Sequence, residues 1–188
     1  MRRIFKIIIA AVAVIVIVAA AFGALIFLDL AAYTATGSQT LTPTVTPMGT
    51  ALVLYDPGLT GASTQIADQI AADLLAKNMT VTLAGIKSST ASNTTGYDII
   101  IIGGPTYAGA PAASVKDALS NLQHDSDARV GVYCSGQGST TPQDIAQIKD
   151  AVPALQSSGA LSNAVVVKIG ESEDLKARAQ DFVNQVYS

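Results

Sequence analysis

Beyond residue 50, short apolar runs alternate with longer stretches whose apolar residues recur every three or four positions. Ala51 to Tyr55 predicts a first strand, and Asp56 to Ala62 a glycine-containing loop. Ser63 to Lys77 predicts a helix whose apolar stripe is Ile66, Ala67, Ile70, Leu74 and Leu75. Thr80 to Ile86 alternates as a second strand, and Lys87 to Gly96 is a polar connection. Ile99 to Ile102 is apolar on both faces, as a central strand of a parallel sheet must be, and it ends in the glycine-rich loop Gly103 to Gly109. A helix is expected around Ala113 to Leu122 and a fourth strand from Arg129 to Cys134. Thr141 and Pro142 mark the start of another helix, with Asp144 near its amino end. A fifth strand over Ala164 to Ile169 and a last helix from about Ser172 to Val186 complete the domain. Strands alternating with helices imply right-handed βαβ units and a doubly wound α/β fold with a parallel sheet.

The first fifty residues follow another pattern. Ile7 to Leu28 holds 22 residues without a charge, about 33 Å as a helix, enough to cross a hydrocarbon core. Arg2, Arg3 and Lys6 precede it. The expectation is a single-pass anchor over residues 4–28 of the cell membrane, with a cytoplasmic amino terminus and an extracytoplasmic domain. A cleaved signal peptide is the alternative, against which the length of the apolar run argues. Residues 33–50 contain seven threonines, two prolines and no charge, and predict an extended tether. The chain thus divides into an anchor (1–30), a Thr/Pro-rich linker (31–50) and one domain (51–188).

The domain carries eight Lys and Arg against thirteen Asp and Glu, a formal charge of −5. It has no basic cluster to neutralise phosphates, so nucleic acid is not expected as a partner. The lone Cys134 excludes an internal disulfide and reads as a small buried hydrophobe. His124 stands in a solvated turn without a second cluster of ligand-type residues, and no metal site is expected. No Gly-x-Ser-x-Gly elbow occurs, and no catalytic residues of the chain's own are assigned.

In a parallel sheet the loops leaving the carboxyl ends of the strands emerge together, and ligands of open α/β sheets bind there. Three such loops are rich in glycine: Gly58, Leu59, Thr60, Gly61, Ala62, Ser63 and Thr64 after strand one; Gly103 to Gly109 after strand three; Cys134 to Ser139 after strand four. The first runs directly into a helix, whose free N–H groups and dipole favour an anion. The bland reading is that Thr60 or Ser63 caps its own helix.

These residues resemble the flavodoxins and flavodoxin-like proteins. Thr60-Gly61-Ala62-Ser63 is similar to the second half of that family's phosphate loop, and Tyr97 to Gly109 is similar to its ring-flanking strand and loop. The resemblance implies a five-stranded sheet of order 2-1-3-4-5 that binds FMN and passes electrons to a redox partner protein. Gly58, Leu59, Thr60, Gly61, Ala62, Ser63 and Thr64 would then hold the phosphate. Pro105, Thr106, Tyr107, Ala108 and Gly109 would flank the ring, Tyr107 by stacking. Ser135, Gly136, Gln137 and Gly138 would close the other side. Departures from the family stand beside these. Gly58 and Ala62 replace a hydroxyl and an amide residue, Asp56 brings a negative charge close to a dianion, and the third loop has no aromatic. They motivate a second reading, a binding or scaffold module that keeps the sheet without FMN.

Overall fold

The computed structural model describes residues 12–21 and 35–188. The chain forms two compact units, Met1–Tyr33 and Thr34–Ser188. In the first, residues 12–21 are helical and their valine and isoleucine side chains are exposed. The rest of the expected membrane segment lies outside the described residues. Among the described residues no helix is long and apolar enough to cross a membrane.

The second unit has the strands β1 (Ser38–Leu41), β2 (Gly49–Tyr55), β3 (Met79–Gly85), β4 (Ile99–Tyr107), β5 (Ala110–Pro111), β6 (Arg129–Gly136) and β7 (Val165–Gly170). Its helices are α1 (Ala62–Ala76), α2 (Ala113–Ser120), α3 (Pro142–Asp150) and α4 (Leu175–Tyr187). The sheet order is β1-β3-β2-β4-β6-β7, with β5 hydrogen-bonded to β4. All pairs from β3 to β7 on this path are parallel. Numbered among themselves, those five strands run 2-1-3-4-5, as expected.

The side-chain period of two divides the core. Ala51, Val53, Ile99 and Ile101 face α1 and α4, where Ile66, Ile70, Phe182 and Val183 cover them. Leu52, Leu54, Ile100 and Ile102 face α2 and α3, under Val115, Leu119 and Ile148. Each buried Val, Leu, Ile or Phe among them contributes about 1.5–3 kcal/mol, so both faces of β4 must be apolar. At the start of α3 the expected signals are all in place: Thr141 and Asp144 form a reciprocal capping box, with Pro142 in the first turn. At the end of α1, Asn78 takes a left-handed conformation (φ 62°), a common helix stop.

Two expectations need correction. Within the predicted tether, Ser38–Leu41 pairs antiparallel with β3, from Ser38↔Ala84 to Leu41↔Val81, and Gly49 and Thr50 already belong to β2. A strand at a sheet edge needs only main-chain bonds and β-branched or hydroxyl side chains facing water; it need not build a core. The predicted loop after Ile102 is also shorter. β4 continues through Gly103–Tyr107, because β6 carries on beside it as far as Pro105↔Ser135.

Candidate functional site

The loop after β2 is tied down from within. Asp56 is buried; its Oδ1 accepts the amide of Gly58 at 2.9 Å, and its Oδ2 accepts the hydroxyl of Ser114 on α2. The charge expected near the phosphate is therefore engaged by donors on its own side. Gly58 has φ +63°, and a Cβ there would lie 2.9 Å from the Pro105 ring, so the first and second loops are pressed together. Gly61 begins α1 in a left-handed conformation and no side chain caps the helix. The Thr60 hydroxyl takes only the Ala62 amide, at 3.4 Å. The Gln65 amide returns to the Gly61 carbonyl at 3.2 Å. Among the described residues, no protein acceptor meets the amides of Ser63 and Thr64. These are orphan donors at the positive end of a 15-residue helix.

The Ser63 side chain points the other way. It is buried, with Oγ 3.2 Å from the Tyr133 hydroxyl, which itself donates to the Ser63 carbonyl at 3.1 Å. Tyr133 has one proton to give, so its oxygen accepts from Ser63. Only the Ser63 amide is left for a ligand. Burial raises the Tyr133 phenol well above its ordinary range. Its ring lies against Gly103, where a Cβ would come within 2.1 Å of it. This brace from β6 to the start of α1 was not legible in the sequence; its one signal is parity, which puts Tyr133 on the opposite face from Cys134. Cys134 is buried, as expected, and burial pushes its thiol up to about 12, outside the reactive range.

The second loop is a hairpin. Tyr107 and Ala110 pair across a two-residue turn in which Ala108 (φ 51°) and Gly109 (φ 82°) are both left-handed, the pattern that matches strand twist. Ala108 is the unusual member, since a Cβ in this region costs about 1–2 kcal/mol. Tyr107 is half-buried and packs on the core under α2 and α3.

The third loop is held from below. The Thr106 hydroxyl donates to the Ser135 carbonyl at 3.0 Å, joining the second and third loops. Ser135 is buried, whereas Gln137 and Gly138 are exposed. The Thr140 hydroxyl is shared between the Lys168 carbonyl (2.6 Å) and the Glu173 carboxylate (2.8 Å), and the Gly170 amide donates to the same carboxylate oxygen at 2.7 Å. Burial alone would raise the Glu173 carboxyl, but these donors hold it below its usual range. Glu173 thus lies outside α4, which Asp174 caps, and fastens the loop to β7. Beneath it the buried Lys168 ammonium meets Asp144 at 3.2 Å.

All three predicted loops therefore meet at the carboxyl edge, the first touching the second and the second the third. Leu59, Thr60, Ala108, Gln137 and Gly138 are exposed, and Gly61, Ala62, Thr64, Pro105, Thr106, Tyr107, Gly109 and Gly136 are intermediate. Gly58, Ser63 and Ser135 are the buried members. Two cavities lie elsewhere. One of about 350 Å³, at the amino edge, includes His124, Arg129 and Asn163; one of about 260 Å³ lies between α2 and the segment Ile86 to Thr94. Among the described residues no cluster of ligand-type side chains could hold a metal.

No protein-family model matches this sequence, and no curated protein matches it either. Solved structures do. A short-chain flavodoxin associated with a PDU bacterial microcompartment is 22% identical with a TM-score of 0.52, over 74% of this chain and 97% of its own. Oxidised flavodoxin 2 from Bacillus cereus is 19% identical with a TM-score of 0.51, over 73% and 97%. The fold is flavodoxin-like. Rubredoxin oxygen:oxidoreductase from Desulfovibrio gigas shares the fold over a part of its length: 16% identity, TM-score 0.51, 76% of this chain but 37% of that one. The flavodoxin-like sheet order places the three loops at the switch between β2 and β4, where neighbouring crossovers go to opposite faces.

Proposed function

We propose that the carboxyl edge binds FMN and that the protein is a membrane-anchored electron carrier. One observation carries the reading: the amides of Ser63 and Thr64 stand without acceptors at the positive end of α1, in a loop with no competing free carboxylate. The residues present fit a phosphorylated flat group. Cβ positions at Gly61 and Gly138 face open space, and no side chain caps α1. Thr60, Gly61, Ala62, Ser63 and Thr64 hold the phosphate through amides and the Thr60 and Thr64 hydroxyls. Pro105 to Gly109 flank the ring, and Gln137 and Gly138 close the far side. Bound FMN supplies one- and two-electron chemistry; the protein orients it and sets its surroundings. The exposed, left-handed Ala108 is held in a strained turn beside that ring site, where a peptide with two accessible orientations would answer a change of charge.

Residues 4–28 anchor the chain in the cell membrane with the domain on the extracytoplasmic side, and the electrons go to or come from a redox partner protein. The support is the uncharged run preceded by Arg2, Arg3 and Lys6. Titrating the purified full-length chain in detergent with FMN tests the cofactor. Quenched flavin fluorescence at micromolar protein is expected, and none would remove the proposal. A second reading, a cofactor-free module, draws on the inward Ser63 hydroxyl and the half-buried Tyr107. A folded, colourless protein indifferent to FMN would favour it.

A further inference from the structure

Two places in the domain carry the tripeptide Asn-X-Thr, the acceptor signal for N-linked glycans: Asn78-Met79-Thr80 and Asn93-Thr94-Thr95. The letters do not separate them; the fold does. Asn78 closes α1 in its left-handed turn and is half-buried. Its amide donates to the Leu75 carbonyl at 2.9 Å, and its own carbonyl takes the Met48 amide at 2.8 Å. Met79 is buried, and Thr80 lies in β3, which is hydrogen-bonded to β1 on one side and β2 on the other. A transferase could draw this tripeptide into a peptide groove only by pulling β3 from the middle of the sheet.

Asn93 stands in the polar connection between β3 and β4, directly after a 3₁₀ turn over Ser89–Ser92. Ser92, Asn93, Thr95 and Gly96 are exposed, and the backbone at Asn93 is extended (φ −132°, ψ 105°). The Asn93 Oδ1 accepts the Thr95 hydroxyl at 2.9 Å and the Thr95 amide at 3.4 Å. Its Nδ2 has no partner among the described residues. The nitrogen that would carry a sugar is free, and the oxygen beside it is held. Thr94, the middle residue, which the signal does not read unless it is proline, is buried and donates to the Gln123 carbonyl at 2.5 Å. Gly96 accepts the Thr50 hydroxyl and gives its amide to Asp125, both at the amino edge. A sugar at position 93 therefore stands toward the amino edge, away from the three loops of the candidate site.

We infer that Asn93 carries an N-linked glycan and that Asn78 does not. The donor is an oligosaccharide joined to a lipid through a pyrophosphate. Asn93 Nδ2 displaces that pyrophosphate from the anomeric carbon of the first sugar. The N–C bond forms, the C–O bond breaks, the amide proton passes to a base of the transferase, and the lipid pyrophosphate leaves. N-linked glycans mark surface loops of exported chains, so the inference rests on the extracytoplasmic reading above. It is independent of whether FMN binds.

Mass spectrometry of the full-length chain, purified from the membranes of its own cells, tests it. A sugar mass is expected on the peptide that contains Asn93 and none on the one that contains Asn78. Asn93→Gln and Thr95→Val should each abolish it, while Thr95→Ser, which keeps a hydroxyl, should retain it. In parallel, a membrane-impermeant maleimide is applied to intact cells carrying Ser126→Cys, an exposed position; buried Cys134 stays unlabelled. Labelling of position 126 without a sugar on Asn93 overturns the inference and leaves the topology intact. A sugar on Asn78 overturns it as well. Labelling only after the cells are broken overturns the topology and the inference together.

Discussion

The two edges of the sheet make opposite use of their side chains. At the amino edge, charged and polar residues such as Arg129, His124 and Asn163 line the larger cavity, yet its cation is already engaged. Arg129 donates to the Tyr187 carbonyl and lies 6.0 Å from the Tyr187 ring centroid. At the carboxyl edge the three loops hold no free charge, yet the backbone there leaves two helix amides unmet. The difference teaches that unmet backbone donors, rather than a side-chain cation, mark where this fold can take an anion. Backbone at one edge is kept open by tying three nearby polar side chains elsewhere: Asp56 to Ser114, Ser63 to Tyr133, Glu173 to Thr140.

The contrast is broken most severely at Gly103. Gly103→Ala puts a methyl into the Tyr133 ring, and with β-sheet on both sides neither strand can move away. A loss of about 3 kcal/mol is expected in denaturant unfolding, with loss of FMN quenching as the start of α1 shifts. A fully stable Gly103→Ala protein would refute the brace. Tyr133→Phe is milder: it keeps the ring and leaves the buried Ser63 hydroxyl without its acceptor, for about 1–2 kcal/mol. Its unfolding midpoint should fall while the far edge, read by accessibility of a label at Ser126→Cys, stays unchanged.

These two positions also show how far the sequence could be read. The five parallel strands and the cap at Thr141 are written in local patterns, apolar runs and a Thr-Pro start, which need no partner to be recognised. β1 has no such pattern, because an edge strand of Ser, Gln and Thr is held by main-chain bonds to β3, and pairing is not encoded in its side-chain alternation. The loops were legible as glycine clusters. Their division into open amides and tied side chains was not. Ser63 looks like a phosphate donor until register brings Gly103 beside Tyr133 and gives the serine a different partner. β6 is buried on both faces, so hydrophobicity alone could not say which way Tyr133 turns.

Sharpening the comparison from the carboxyl side, Ala108→Gly removes a Cβ from a left-handed turn that already has a glycine next to it. The hairpin should gain about 1 kcal/mol, less the entropy of the freer unfolded chain. Stability should rise slightly in thermal unfolding, an unusual sign for a change to glycine. A destabilised variant would mean that the turn is not strained.

The smallest effect is expected at the amino-edge cavity. Arg129→Gln removes the cation from the amino edge, together with its bond to the Tyr187 carbonyl and its place near that ring. Arg129 is exposed, so the loss should stay within about 0.5 kcal/mol, and Lys77, 4.7 Å from the same ring centroid, remains as its cation. FMN affinity measured by fluorescence titration should be unchanged, because Arg129 stands at the start of β6, at the opposite end of the sheet from the three loops. If affinity instead falls several-fold while the unfolding curve stays put, the anion is being drawn by the charged cavity at the amino edge. Orphan amides would then not be what selects the binding edge of this sheet.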